Sequence, residues 1–158
     1  MTEQLTPEDW FKRARAAFNV DKPDQFNDYH CDECIEVDSY LKSLNVDSAD
    51  LQALDGSMGN PFNLCSVEGI QYFLPAMIRV TLETMRSDFY LEVFLWHLES
   101  DGPDNHLVTA CSAKQRALIV EFLTMLLENY TNEIQFHRAT DPLLKSHAIW
   151  SKDLPIQN

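Results

Sequence analysis

The chain of 158 residues is poor in glycine, in basic side chains and in long apolar runs. Four glycines are too few for the many tight turns of a β-sandwich, so we expect helices. The chain has 12 Lys and Arg residues against 25 Asp and Glu residues, which gives a net charge of −13. This charge argues against a nucleic-acid partner, because phosphate binding requires basic side chains. No stretch approaches the roughly 20 apolar residues of a membrane helix, and we expect no membrane partner.

The sequence also lacks the common catalytic motifs. It contains no Gly-x-Ser-x-Gly and no glycine-rich phosphate-binding loop, so we predict that the protein is not an enzyme. Residues 1–19 are charged and have no signal-peptide core, which indicates a cytoplasmic protein. In that compartment the four cysteines would be reduced thiols or metal ligands, and not a disulfide framework.

The stretch from Ser66 to Arg86 carries the strongest helical pattern. Ser66 can cap its start, and apolar residues then recur at helical spacing, which indicates one buried face. Pro75 lies inside this stripe and removes a backbone donor, so we expect a kink or a break near Phe73.

The remaining pattern predicts a mainly α-helical, single compact domain over residues 1–158, with about six helices. A short hairpin between Asp88 and Thr109 is the alternative for that segment. In the first half of the chain we expect one helix capped by Thr6 that ends near Phe18, one from Cys31 to Ser43 and one from Ser48 to Leu54. In the second half we expect one that starts at Ser87 or Asp88, one after the capping box of Ser112 and Gln115, and one capped by Asp141 that ends near Trp150.

The string His30-Cys31-Asp32-Glu33-Cys34 offers three soft metal ligands. A Cys-x-x-Cys pair preceded by His suits zinc, which takes Cys and His ligands in tetrahedral sites. A fourth ligand would come from Cys65, Cys111, His97 or His106. The alternative is a helix start at which Cys34 packs into the core and His30 binds backbone, because cysteine is among the most buried residue types.

An acidic run extends from Asp24 to Asp55. It contains nine carboxylates and one base, Lys42. A solvated helix face is one interpretation, and an acidic docking face for a basic protein partner is the other. The candidate partner-binding residues are Asp28, Asp32, Glu33, Glu36 and Asp38.

Four motifs together resemble a family of uncharacterised small bacterial proteins, known as a domain of unknown function. They are HCxECxExD at 30–38, SxEGxxYFxPA at 66–76, FxxHL at 94–98 and QRxxxVxFL at 115–123. Members of that family often carry a further Cys where this chain has Asp32, and a His where it has Val37. The resemblance implies no activity.

Two functional hypotheses follow. The first is a non-enzymatic acidic protein of the immunity or antitoxin type, which neutralises a bacterial toxin such as a nuclease by direct binding. It rests on charge, size and the missing catalytic motifs, and on an analogy with immunity proteins. The second is a zinc-binding protein that uses His30, Cys31 and Cys34, in which zinc has a structural or an enzymatic role. Outside the second hypothesis we expect no cofactor.

Overall fold

The structure, a computed structural model, describes residues 3–155. Within that range it has nine α-helices and no β-strand, so the mainly helical prediction is confirmed, and the helices outnumber the expected total of about six. None of the helices in this range has both the length and the apolar character needed to cross a bilayer. The helices are α1 (Pro7–Ala17), α2 (Asp32–Lys42), α3 (Leu51–Asp55), α4 (Val67–Glu83), α5 (Leu91–Glu99), α6 (His106–Ala110), α7 (Ala113–Asn129), α8 (Thr131–Phe136) and α9 (Thr140–Ser151).

The helices form two compact units, of which the first ends at Glu83 and the second begins at Thr84. Short 3₁₀ turns lie at Pro61–Leu64 in the first unit and at Gly102–Asp104 in the second. The expectation of a single domain stays a prediction.

Helix α4 is the core of the first unit, and α1 packs along it. The Ser66 hydroxyl accepts a hydrogen bond from the Gly69 N–H at 3.1 Å, which confirms the expected cap. Phe73, Leu74 and Met77 are fully buried. Of the expected kink or break, the break was wrong, because α4 runs without interruption through Pro75. We attribute this tolerance to the burial of the helix, since apolar burial offsets the backbone hydrogen bond that proline removes.

An aromatic cluster joins α4 to the loop that precedes α2. The Phe26 ring lies 5.8 Å from the Phe73 ring and 6.5 Å from the Tyr72 ring, measured between centroids. The backbone of the same residue is also held, because the Phe26 carbonyl accepts a hydrogen bond from the Ser66 N–H at 2.6 Å. The loop that leads into the Cys-x-x-Cys segment is therefore anchored in the core of the unit.

In the second unit, α9 packs against both α5 and α7. The indole N–H of Trp150 on α9 donates to the Leu98 carbonyl on α5 at 2.9 Å. The rings of Phe94 and Phe122 meet edge to face at 6.1 Å. The alternative of a hairpin was wrong, since the segment Asp88–Thr109 contains α5 and most of α6. Tertiary packing overrides the strand propensity of the aromatic and β-branched residues in α5.

Helix starts that depend on local side-chain caps were predicted correctly. Thr6 and Asp9 form a capping box at α1, and Ser112 and Gln115 form one at α7. Each box satisfies two backbone N–H groups within four residues, so sequence alone identifies it.

Other boundaries were wrong for identifiable reasons. Asp50, and not Ser48, caps α3 by accepting the Ala53 N–H at 3.0 Å. Helix α5 begins only at Leu91. The Thr84 hydroxyl accepts a hydrogen bond from the Tyr90 N–H at 3.0 Å, which holds residues 84–90 in a turn before the helix. Helix α9 starts at Thr140 with no side-chain cap, and α6 and α8 were not expected.

We predict that acid weakens the second unit through His97. This side chain is only 8% exposed, and burial lowers its pKa to about 4. In the unfolded chain the pKa is about 6.5, so the unfolded state binds the proton first and stability falls as the pH drops from about 6.5 to about 4. The expected loss from this group at pH 5 is about 2 kcal/mol.

Urea unfolding of the wild type and of His97→Gln at pH 7 and pH 5 measures this loss. The variant cannot take up the proton, so its stability should fall less between the two pH values. An equal fall in both proteins would show that His97 does not contribute.

Candidate metal centre

Cys31 is the N-cap of α2. Its backbone is extended, and its sulfur accepts a hydrogen bond from the Cys34 N–H at 3.3 Å. Asp32 and Glu33 occupy the first turn, where carboxylates favour the positive end of the helix dipole. The predicted helix from Cys31 to Ser43 is confirmed apart from one residue at each end.

The cap brings the two cysteine sulfurs together. The Cys31 thiol donates to the Cys34 sulfur over an Sγ–Sγ distance of 3.0 Å. This hydrogen bond, together with burial, raises the pKa of the Cys34 thiol to about 11. Tetrahedral zinc holds two thiolates about 3.8 Å apart, so metal binding needs a small separation of the sulfurs. Cys31 is only half-buried, whereas Cys34 is buried.

His30 completes the cluster. Its Nδ1 lies 3.3 Å and its Nε2 4.0 Å from the Cys34 sulfur, and one ligand atom from each of His30, Cys31 and Cys34 lies within 4.8 Å of the others. Among the described residues, these three form the one such group. His30 is exposed and Cys34 is buried, so one side of the cluster faces solvent.

Asp28 orients the imidazole. The Asp28 carboxylate lies 2.9 Å from His30 Nδ1 and also accepts the His30 backbone N–H at 3.3 Å. The side-chain hydrogen bond with His30 lowers the pKa of Asp28. A carboxylate on Nδ1 leaves Nε2 as the nitrogen for a metal, which is the usual arrangement around metal-bound histidines.

Asp38 ties the loop in front of α2 to the helix. One carboxylate oxygen accepts the Phe26 N–H at 2.7 Å, and the other accepts the Tyr29 hydroxyl at 2.6 Å and the Lys42 ammonium at 2.9 Å. Burial alone would raise the pKa of Asp38, but the hydrogen bonds from Lys42, Tyr29 and Phe26 outweigh it and lower the pKa. A buried carboxylate with three donors fixes both ends of the Phe26–Tyr29 segment.

Asn27 and Tyr29 shape the same loop. The Asn27 amide donates to the Cys34 carbonyl at 2.7 Å and to the Leu64 carbonyl at 3.0 Å, and its oxygen accepts the Tyr29 N–H at 3.1 Å. Tyr29 has a φ of 57°, which is uncommon for a residue that is not glycine. Such a conformation persists where surrounding contacts hold it, and here it turns the chain so that His30 faces Cys34.

The acidic residues proposed for partner binding divide into two groups. Asp28, Asp32, Glu33 and Glu36 are exposed. Asp38 is 2% exposed and is occupied by its three donors, so its assignment to an exposed docking face was wrong. The burial of Asp38 follows from its position four residues after Cys34, on the inner side of α2.

None of the expected fourth ligands joins the cluster within the described part of the chain. Cys65 belongs to the same unit but packs beside Gly69 at the start of α4, and burial raises its pKa to about 12. His97, His106 and Cys111 belong to the second unit and are not members of the group.

Sequence reasoning missed Asn27 and Tyr29 and misread Asp38. The spacing of Asp38 and Lys42, which predicts an ion pair on one helix face, was the available signal. The contact of Asp38 with the loop has no local signature, because its partners lie nine and twelve residues earlier.

Comparisons of the chain with protein-family models, with curated proteins and with solved structures found no match.

We predict that Asp38→Ala lowers the stability of the first unit by about 1–3 kcal/mol, because the Phe26 N–H and the Tyr29 hydroxyl lose their buried acceptor. Glu36→Ala is the matched control, since it removes an exposed carboxylate from the same helix and should change stability by less than about 0.5 kcal/mol. Urea unfolding measures both variants, and equal effects would contradict a positioning role for Asp38.

Proposed function

We propose that this protein is a non-enzymatic binding protein that holds one zinc ion through His30, Cys31 and Cys34. The observation that carries the proposal is the convergence of an imidazole and two thiols within 4.8 Å at the start of α2. Two thiolates and one imidazole form a ligand set that suits zinc, and harder ions prefer oxygen ligands.

The surroundings of the cluster support a cation. Asp28 holds the imidazole through Nδ1, and the carboxylates of Asp32 and Glu33 lie in the same stretch of sequence. Their negative charge raises the local concentration of cations. The three ligands leave a fourth coordination position on the exposed side of the cluster, where water or a partner residue would complete the tetrahedron.

Zinc would have mainly a structural role here. His30 is the last loop residue before the N-cap Cys31, and Cys34 lies in the first turn of α2, so a shared ion would fix the end of the loop on the start of the helix. The same segments are already joined by Asp38 and Asn27, and a preorganised loop reduces the entropy that metal binding must overcome.

We predict that protein purified without a metal-affinity tag and reconstituted with zinc contains about one zinc per chain. The triple variant His30→Ala, Cys31→Ala, Cys34→Ala should contain none, because it lacks every ligand of the cluster. Elemental mass spectrometry measures the metal. Chelation should lower the unfolding temperature of the wild type and leave that of the triple variant unchanged.

Cys111→Ala is the control for this experiment, since it removes a thiol from the second unit and should keep the zinc. Wild-type protein that stays free of zinc after reconstitution would contradict the proposal. Equal zinc in the triple variant would also contradict it.

The exposed carboxylates favour a second function, the neutralisation of a bacterial toxin by direct binding. Asp28, Asp32, Glu33 and Glu36 lie exposed within nine residues around the start of α2, and the chain carries a net charge of −13. Such a surface would steer a basic toxin domain toward the protein and oppose a nucleic-acid competitor. Immunity or antitoxin-type activity of this kind needs no catalytic residue.

We predict that cells producing the toxin domain encoded beside this gene survive when the wild-type protein is co-produced. Reversal of Asp32, Glu33 and Glu36 to lysine should abolish survival, because the charge complementarity changes sign. The control reverses three exposed carboxylates of the second unit, Asp104, Glu128 and Asp141, and should protect like the wild type. Full protection by the first triple variant, or the absence of a toxin gene, would exclude this function for the surface.

A further inference from the structure

One face of α5 in the second unit carries two carboxylates around an exposed indole. Glu92, Leu95, Trp96 and Glu99 follow the spacing of neighbours on a single helix face. They line a pocket of about 230 Å³ whose opposite side is the bend between α8 and α9. This volume suits one side chain or a small organic molecule.

Glu99 makes the pocket chemically specific. Its Oε2 is buried and accepts no hydrogen bond from any residue that the structure describes. A buried carboxylate oxygen without a donor is unfavourable, because desolvation is not compensated. A cationic donor entering the pocket would compensate it, and Glu92 supplies a second negative charge on the same wall.

The aromatic wall favours a flat cation with an aliphatic stem. Trp96 is 57% exposed and lies between the two carboxylates along the helix, next to Leu95. A planar guanidinium can stack on an indole and at the same time pair with a carboxylate through two parallel hydrogen bonds. An ammonium is not planar and offers neither the stacking face nor the paired donors.

The side of the pocket opposite α5, formed by His137 and Arg138, determines the net charge of the lining. Arg138 offsets one of the two carboxylates, so the lining stays negative by one charge when His137 is neutral. The His137 ring is held flat against the Phe89 ring at a centroid distance of 3.8 Å. The field of a chain with a net charge of −13 adds to the attraction for a cation.

An exposed aromatic side chain extends the surface beyond the pocket. Phe136 is 83% exposed, and its ring meets the His137 ring edge to face at 5.0 Å. A free small cation would leave Phe136 uncovered, whereas a polypeptide with an apolar residue beside its arginine would cover it. Exposed aromatic residues beside a pocket are typical of protein-binding surfaces.

We propose that this pocket binds an arginine side chain of a partner protein, and that an apolar neighbour of that arginine packs on Phe136. The proposal does not depend on the zinc site, which belongs to the first unit. It adds a second acidic contact surface, away in sequence from the carboxylates of α2.

The test follows the Trp96 indole N–H by NMR during titration with the peptide acetyl-Leu-Arg-Leu-amide. The chain has three tryptophans, and Trp10 and Trp150 are buried, so Trp96→Phe assigns the responsive signal. We expect a saturable shift with this peptide and none with the same peptide carrying citrulline, which keeps the shape and loses the charge. Glu99→Gln should weaken binding about tenfold or more.

Two variants and a small probe complete the design. Glu128→Gln removes one exposed carboxylate from α7 and should bind like the wild type. Phe136→Ala should weaken the peptide and leave ethylguanidinium unaffected, and thermal unfolding confirms that each variant is folded. No shift with the arginine peptide, an equal loss in Glu128→Gln, or ethylguanidinium binding as tightly as the peptide would overturn the proposal.

Discussion

The candidate site depends on the hydrogen bonds that the buried carboxylate of Asp38 accepts. This carboxylate accepts hydrogen bonds from the backbone of Phe26, the hydroxyl of Tyr29 and the ammonium of Lys42. Two of these donors belong to the loop and one to α2, so a single side chain fixes the loop on the helix. Because the loop is fixed, His30 lies against Cys34, and the three candidate ligands of residues 30–34 form one cluster.

This arrangement separates the acidic residues by role. Asp38 positions the loop, Asp28 orients the imidazole, and Asp32, Glu33 and Glu36 remain free to act through charge. A zinc ion in the cluster would reinforce links that hydrogen bonds already make, and would place a cation at the centre of a negative surface. The proposed metal binding and the proposed partner binding at the start of α2 would therefore be compatible on one surface.

The parts of the fold that follow from local chemistry were predictable. Capping boxes and the apolar stripe of α4 depend on residues within a few positions of one another, and the spacing of Cys31 and Cys34 placed both sulfurs on one side of a helix start. The sequence suggested His30 as a ligand beside the two cysteines, but the backbone that brings it to Cys34 was not predictable, because no local pattern indicates the left-handed conformation of Tyr29. The uninterrupted helix at Pro75 depends likewise on packing that no local pattern encodes.

X-ray absorption spectroscopy of the zinc-loaded protein tests the central claim most directly, because it identifies the atoms around the metal. The account predicts two sulfur ligands at about 2.3 Å and one imidazole nitrogen at about 2.0–2.1 Å, with a light atom in the fourth position. A zinc shell of oxygen and nitrogen alone would contradict it. The ion would then be bound by surface carboxylates, and His30, Cys31 and Cys34 would be only a helix cap and its neighbours.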